Sequence, residues 1–396
     1  MNNWKNIKIS EFANTQSGGT PSTSRDDFWN GDVPWINSGE LKDCKISKAS
    51  KYITKLGLAS SSARLFPKGT VVIALTGATT AKLGLLEIET STNQSITGII
   101  PNNNYDPFFL FYQLLSLRRE ILSKSLGTAQ PHINKRIVDE IIVKLAPLPE
   151  QQAIVAKIEE LLSELENGKQ QLLTAQQQLK VYRQSLLKWA FVTTKFNDFV
   201  MKEVTEKIQI GPFGTQLHKE DYITNGIPLI NPMHIQDGNI QPNFSYSITK
   251  QKRDSLPNYI LQEGDVIMGR RGEMGRCGLV RKKEIGWFCG TGSLYFRPQS
   301  KRLNSLFLYY YLCSQTVKKY LDENAGGTTM ANLNLKIVND IPISLPSLKE
   351  QQFIVDELES KLTVCDKIDE TISQSLQQAE TLKQSILKQA FEGKLI

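Results

Sequence analysis

The sequence predicts an α+β chain: two similar heads joined by two long antiparallel coiled-coil helices, the whole an internal pseudo-twofold repeat. Three observations carry this. First, LPEQQAIVAKIEELL (Leu148–Leu162) returns as LKEQQFIVDELESKL (Leu348–Leu362), and QSLLKWAF from Gln184 returns as QSILKQAF from Gln384. Both steps are 200 residues, so a helical unit recurs in register, and such self-similarity is the strongest architectural signal a sequence carries. Second, apolar residues of the first unit fall at Ile158, Leu161, Leu165, Gly168, Leu172, Ala175, Leu179, Tyr182, Leu186 and Trp189. The gaps alternate three and four, a heptad seam that needs a partner helix. Third, the block between the units repeats the plan of the block before them.

Block one, residues 1–145, reads as mixed α+β. DVPWIN (Asp32–Asn37) and TVVIAL (Thr70–Leu75) are short apolar runs between glycines, the pattern of buried strands. Asp106-Pro107 before FFLFYQLLSLRREIL predicts a helix, with aspartate as N-cap and proline in the first turn. A polar loop, Leu126–Asn134, leads to a predicted strand at Ile137–Leu145. The first helical unit occupies residues 146–197. Block two, residues 198–345, answers NGDVPWI with NGIPLI and KGTVVIALTG with EGDVIMGRRG. The second helical unit, residues 346–396, predicts a seam at Leu358, Lys361, Cys365, Ile368, Ile372, Ser375, Ala379, Leu382, Ile386 and Gln389. The predicted helix–helix packing set is therefore Ile158, Leu161, Leu165, Leu172, Leu179, Tyr182 and Leu186 against Leu358, Ile368, Ile372, Leu382 and Ile386.

Charge is distributed unevenly. Lys and Arg outnumber Asp and Glu by 17 to 12 over residues 1–145 and by 18 to 14 over residues 198–345, but trail by 6 to 9 over residues 346–396. The positive surplus sits on the two heads, which suits a polyanionic partner. Five scattered cysteines form no CxxC pair, there is no long apolar run, and MNNWKNIKIS has no signal-peptide core. These point to a reducing, cytoplasmic setting away from any membrane.

A search for catalytic chemistry comes back nearly empty. There is no GxxxxGK[ST] phosphate loop. Asp106-Pro107-Phe108-Phe109 is superficially like an adenine-methyltransferase tetrapeptide but lacks the second proline, so the cap reading is preferred. His132, His218 and His234 are isolated and show no metal-ligand spacing. The glycine-rich run Gly269–Gly278 fits no dinucleotide fingerprint; a hairpin that carries Arg270, Arg271 and Arg276 towards phosphates or guanine edges fits better. Candidates for reading DNA are polar side chains on Gly-flanked loops where the two heads differ. In head one these are Thr20, Ser22, Asn37, Lys82, Gln130, His132 and Asn134. In head two they are Gln216, Asn231, His234, Arg270, Arg271, Arg276, Asn332 and Asn334. Each is also a residue type that serves turns and helix caps.

The paired LPxxxEQQ helix entries (Leu145–Gln152, Leu345–Gln352), the QSxLKxAF exits, GGTPS at Gly18–Ser22 and FEGKL at Phe391–Leu395 together resemble the specificity subunits of type I restriction–modification systems. That resemblance implies two target-recognition domains, each reading one half of a bipartite, asymmetric site in double-stranded DNA. It implies helices that set the spacing and dock two modification subunits, joined by restriction (translocase) subunits. It further implies that the chain itself binds no cofactor or metal and catalyses nothing; S-adenosylmethionine, Mg2+ and ATP belong to the partners. Two alternatives are a self-sufficient DNA adenine methyltransferase and a coiled-coil adaptor that does not touch DNA.

Overall fold

In a computed structural model the residues described are 4–125, 132–192, 197–236, 238–272, 275–325 and 333–395. The chain is α+β and divides into two compact units, residues 1–172 with 374–396, and residues 173–373.

Unit 1 contains head one. Its main sheet is formed by β1 (Thr15–Ser17), β2 (Cys44–Ile46), β3 (Val71–Ala74), β4 (Leu83–Leu86) and β5 (Ile96–Ile99), in the order β1-β5-β3-β4-β2. All neighbours are antiparallel except β2 and β4. β3 and β4 are buried at every position, as continuous apolar runs require. The predicted strand at 32–37 coincides with Trp29–Ile36 as far as residue 36, in a second, four-stranded sheet, and Asn37 caps the turn that follows. The helix Pro107–Ser116 starts as the sequence predicts, with the Asp106 carboxylate accepting from the amides of Phe108 and Phe109. The predicted strand 137–145 is only half strand. Lys135–Asp139 is helical because the Asn134 side chain accepts from Ile137 N, and the strand begins at Ile142.

Unit 2 contains head two. Here β6 (Thr205–Ile210), β7 (Val266–Gly269), β8 (Cys277–Leu279) and β9 (Ser293–Pro298) form an antiparallel sheet in the order β6-β9-β7-β8. β7 and β8 pair like β3 and β4: Val266 faces Leu279 as Val71 faces Leu85, and Ile267 faces Gly278 as Val72 faces Gly84.

The two long helices span Leu148–Val192 and Leu348–Phe391. In unit 1, Ile154 and Ile158 share a core with Leu387, Ala390 and Phe391, and Lys169 pairs with Glu380 at 2.6 Å. In unit 2, Leu186 and Ala190 pack with Leu358 and Cys365, Arg183 pairs with Asp366 at 2.7 Å, and Gln176 donates to Asp369 at 3.0 Å. In both units the segments therefore run antiparallel.

The seam is shifted from the predicted one. Ile158, Leu186, Leu358, Ile372 and Ile386 are buried, and Leu161, Leu165, Leu172 and Leu179 are half-buried. Tyr182, Trp189, Ile368 and Leu382, however, lie 44–50% exposed. On the second helix Leu362 packs into the seam beside half-buried Lys361, Leu376 is half-buried beside Ser375, and Ala390 is buried where Gln389 is exposed. Burying a leucine instead of an ammonium or an amide avoids a desolvation penalty of several kcal/mol per charge, and Lys361 stays at the flank, paired with Glu357.

The duplicated motifs now have physical jobs. Gln151 is fully buried at the helix entry; its Nε2 donates to Ala146 O (2.7 Å) and its Oε1 accepts from Asp106 N (2.8 Å). Gln351 repeats this in unit 2, donating to Pro346 O and Arg302 O and accepting from Asn304 N. The exit phenylalanines close the other end of each helix. Phe191 meets Phe307 and Tyr311 edge-on in unit 2, and Phe391 meets Phe109 in unit 1. Each head is thus held by the entry of one long helix and the exit of the other.

Candidate nucleic-acid interface

In each head the strand ends of the main sheet gather three loops at one edge. In head one β1 runs into Gly18–Ser22, the β3–β4 hairpin turns through residues 75–82, and residues 93–95 lead into β5. In head two the matching segments are 211–217, 270–272 with 275–276, and 290–292. The match is close at atomic detail. Gly18 N donates to Ile96 O, and Gly211 N donates to Ser293 O. A Cβ at Gly18 would come within 2.0 Å of Thr92 Oγ1, and one at Gly211 within 1.9 Å of Gly290 O. The hairpins turn through positive φ at Gly77 and Ala81 in head one, and at Gly272 and Gly275 in head two. Lys82 and Arg276, the residues that follow, hold equivalent places. A fourth segment joins the same edge, since Ile133 N donates to Leu75 O and Leu333 N to Arg270 O.

The candidates divide once their contacts are read. Gln130 and Asn332 lie outside the described residues. Several of the rest serve the local fold. Asn37 caps a short 3-10 turn by accepting from Gly39 N (2.8 Å), and Glu40 accepts in return from Asn37 N. Asn134 and Asn334 cap equivalent helices, each accepting from Ile137 N or Ile337 N at 3.0 Å. Asn231 Oδ1 accepts from Gly292 N (3.2 Å), which ties two loops together. His234 is buried, with Nδ1 2.9 Å from Leu229 O. Burial lowers its pKa, against the opposing pull of that carbonyl, and so favours the neutral ring. For these five the cap or core reading is the better one, because a side chain already spent on its own backbone has little left for a base edge.

The others, Arg270 excepted, present side chains at the edge. Ser22, His132, Gln216 and Arg271 are exposed, and Thr20, Lys82 and Arg276 are half-exposed. Thr20 is oriented by Gln94, and Gln216 by the Tyr259 hydroxyl at 2.6 Å. Lys82 is held 2.9 Å from Asp43, whose carboxylate also takes both guanidinium arms of Arg118. Burial works to raise the Asp43 pKa, yet hydrogen bonds from Arg118, Lys82 and Leu83 N hold it below the usual carboxylate range. Arg276 donates to Ile235 O (3.2 Å). Arg270 is mostly buried, its guanidinium 5.7 Å from the ring of Phe213. Asp43, Arg118, Gln94 and Phe213 escape sequence reasoning. The first three are distant in the chain from the residues they orient, and an isolated phenylalanine reads as core. The Gly and Pro around it (GPFG) were the available signal.

Among the described residues no group of three or more His, Cys, Asp or Glu side chains is placed to hold a metal, and no helix is long and apolar enough to cross a membrane. What the edge offers is hydroxyls, amides and cations on rigid loops, the chemistry of groove contacts.

Comparison with known proteins agrees with this geometry. The chain matches the "Type I restriction modification DNA specificity domain" twice, over residues 1–175 and 196–378, each match covering a head and most of its following helix. It is 25% identical to the type I restriction enzyme EcoBI specificity subunit of Escherichia coli, over 99% of this chain and 86% of that one. In fold it is similar to a chain from a structural study of complex assembly and conformational transition of the type I R-M system (TM-score 0.77, 20% identity, 99% and 98% of the two chains covered). It is also similar to the HsdS subunit of Thermoanaerobacter tengcongensis (TM-score 0.62, 20% identity, 99% and 97% covered). The chain belongs to the type I restriction–modification specificity subunits, the non-catalytic DNA-recognition members of those systems.

Proposed function

We propose that residues 1–145 and 198–345 are two target-recognition domains, each reading one half of a bipartite, asymmetric site in double-stranded DNA. One observation carries this reading: equivalent loops at the same edge of equivalent sheets keep their backbone turns and change their side chains. Head one presents Thr20, Ser22, Lys82 and His132; head two presents Gln216, Arg271 and Arg276. A scaffold duplicated while its contact residues diverge suits two different half-sites.

The long helices, residues 146–197 and 346–396, set the unread gap between the halves and dock two modification subunits. Support comes from what the seam leaves outside: Val181, Tyr182, Trp189, Phe353, Val364 and Ile368 are large apolar residues 44–64% exposed in unit 2, apolar surface that a docked subunit would cover. The modification subunits bind S-adenosylmethionine and methylate an adenine in each half-site, flipping it from the stack. Restriction subunits, using ATP and Mg2+, add ATP-driven translocation and cleavage of the DNA. The assembly acts in the cytoplasm, where the DNA is.

Sequencing methylated bases in a host carrying this chain with its modification subunits tests the proposal. The expected outcome is one motif of two unlike halves around a fixed gap. A continuous motif, or none, contradicts it. Binding of S-adenosylmethionine by the isolated chain would favour the self-sufficient methyltransferase instead. Duplex affinity insensitive to salt would favour a non-DNA adaptor, because phosphate contacts impose a steep salt dependence.

A further inference from the structure

Head two carries an apolar feature that the polar reading of its loops leaves unexplained. Phe213 stands 56% exposed at the edge of the sheet, in the sequence Gly211-Pro212-Phe213-Gly214. Met233, 58% exposed, stands on the neighbouring loop. Contacts tie the two loops to one frame. The Arg270 guanidinium lies 5.7 Å from the Phe213 ring, Arg270 N donates to Gly292 O, and Gly292 N donates to Asn231 Oδ1, two residues before Met233. A Cβ at Gly292 would come within 3.0 Å of Pro232, so this loop is packed tightly against its neighbour. Counting from the equivalent glycines Gly18 and Gly211, the head-one residue in the place of Phe213 is Thr20. The residue in the place of Met233 is Gly39, counting from the equivalent caps Asn37 and Asn231. The feature is therefore specific to head two.

A phenylalanine ring left in water forgoes roughly 1.5–3 kcal/mol of burial. Here the loop backbone is packed: Pro212 fixes its own φ, and Gly211 has no room for a side chain. Behind the ring is the Arg270 guanidinium, and the hairpin that carries it also carries Arg271 and Arg276. An apolar surface backed by an arginine and carried at the edge where the candidate DNA-reading side chains gather fits a base better than it fits a protein or a membrane.

We propose that Phe213 is a specificity-determining residue of head two, making apolar contact with the C5-methyl of a thymine in the major groove, with Arg270 as the positioning residue behind it and Met233 flanking the same contact. This rests on the proposed reading of one half-site by each head. It predicts at least one thymine in the half-site of head two whose methyl group is required.

The test uses the full chain assembled with its modification subunits and a duplex carrying the site found by methylation sequencing. Replacing each thymine of the head-two half by deoxyuridine removes only the methyl. One replacement is expected to weaken binding of the unaltered protein by roughly 5- to 10-fold, a loss of the size expected for one methyl contact. Phe213→Ala is expected to lose a similar factor on the thymine duplex and to show no further loss on the deoxyuridine duplex, while Phe213→Leu retains most of the preference. Deoxyuridine in the head-one half should leave the Phe213 variants and the parent protein equally affected. Uniform loss across both halves and on unrelated DNA, or an unchanged thymine preference in Phe213→Ala, overturns the assignment while leaving half-site reading intact. If the parent protein shows no two-part site at all, both readings fall. An increase in 2-aminopurine fluorescence at the contacted step, abolished by Phe213→Ala without any methyl dependence, would show insertion between bases and also overturn it.

Discussion

Gln151 and Gln351 show why a polar residue recurs inside an apolar helix entry. Each is fully buried and satisfies backbone groups that the turn into the long helix would otherwise strand. Gln151→Ala should therefore destabilise unit 1 by about 2–3 kcal/mol, the cost of leaving buried donors and acceptors unmet. Gln152→Ala, at an exposed position, should change the urea midpoint by no more than ~0.5 kcal/mol equivalent. Equal effects would contradict the role given to the first glutamine. Asp43 gives a prediction in pH. Its folded pKa lies below the unfolded one, so its contribution is complete above the ordinary aspartate range and is lost as pH falls through the depressed value. Asp43→Asn should cost about 1–3 kcal/mol near neutral pH and flatten the acid limb of a Tm-against-pH curve. It should also release Lys82 from its carboxylate. A parallel shift of the whole curve would rule out this linkage.

Among the elements, the most regular were the most legible. The long helices, the Asp106-capped helix and the buried strands follow from periodicity and capping chemistry that act over a few residues. The α+β class and the repeat were legible for the same reason. The helix face was only half legible, because seam positions one residue apart differ by ~100° on the helix and the choice between them depends on the partner. Ile372 and Ile368 separate the two seams. Ile372→Ala, at a buried position, should cost about 2–4 kcal/mol, whereas Ile368→Ala should cost less than ~1 kcal/mol. Calorimetry or urea melts of the full chain would show comparable losses for the two if the predicted seam, which contains both, were correct. The loops were legible as regions and less so as residues. Gly-rich turns announced the hairpins, but whether an asparagine caps a helix or faces a base depends on which amide lies within 3 Å. Asn134 and Asn334 took the cap. Phe213 was missed because hydrophobicity does not say which side of a sheet's edge a residue will stand on.

At the scale of the molecule the chain is a duplicated head-and-helix unit, and the fold explains which parts had to stay alike. The buried glutamines, the exit phenylalanines and the loop glycines recur because each fills a place with no tolerance for another shape. The exposed loop residues differ because the core beneath them fixes the backbone turns and not the side chains those turns carry, which makes them available for recognition. The central claim, one head for each half-site on a fixed helical spacer, is tested most directly by exchange. Residues 198–345 are replaced by the corresponding block of another specificity subunit, and methylated motifs are sequenced in the host. The account predicts that one half of the motif changes, while the other half and the length of the gap stay as they were. A change in both halves, or in neither, would contradict it.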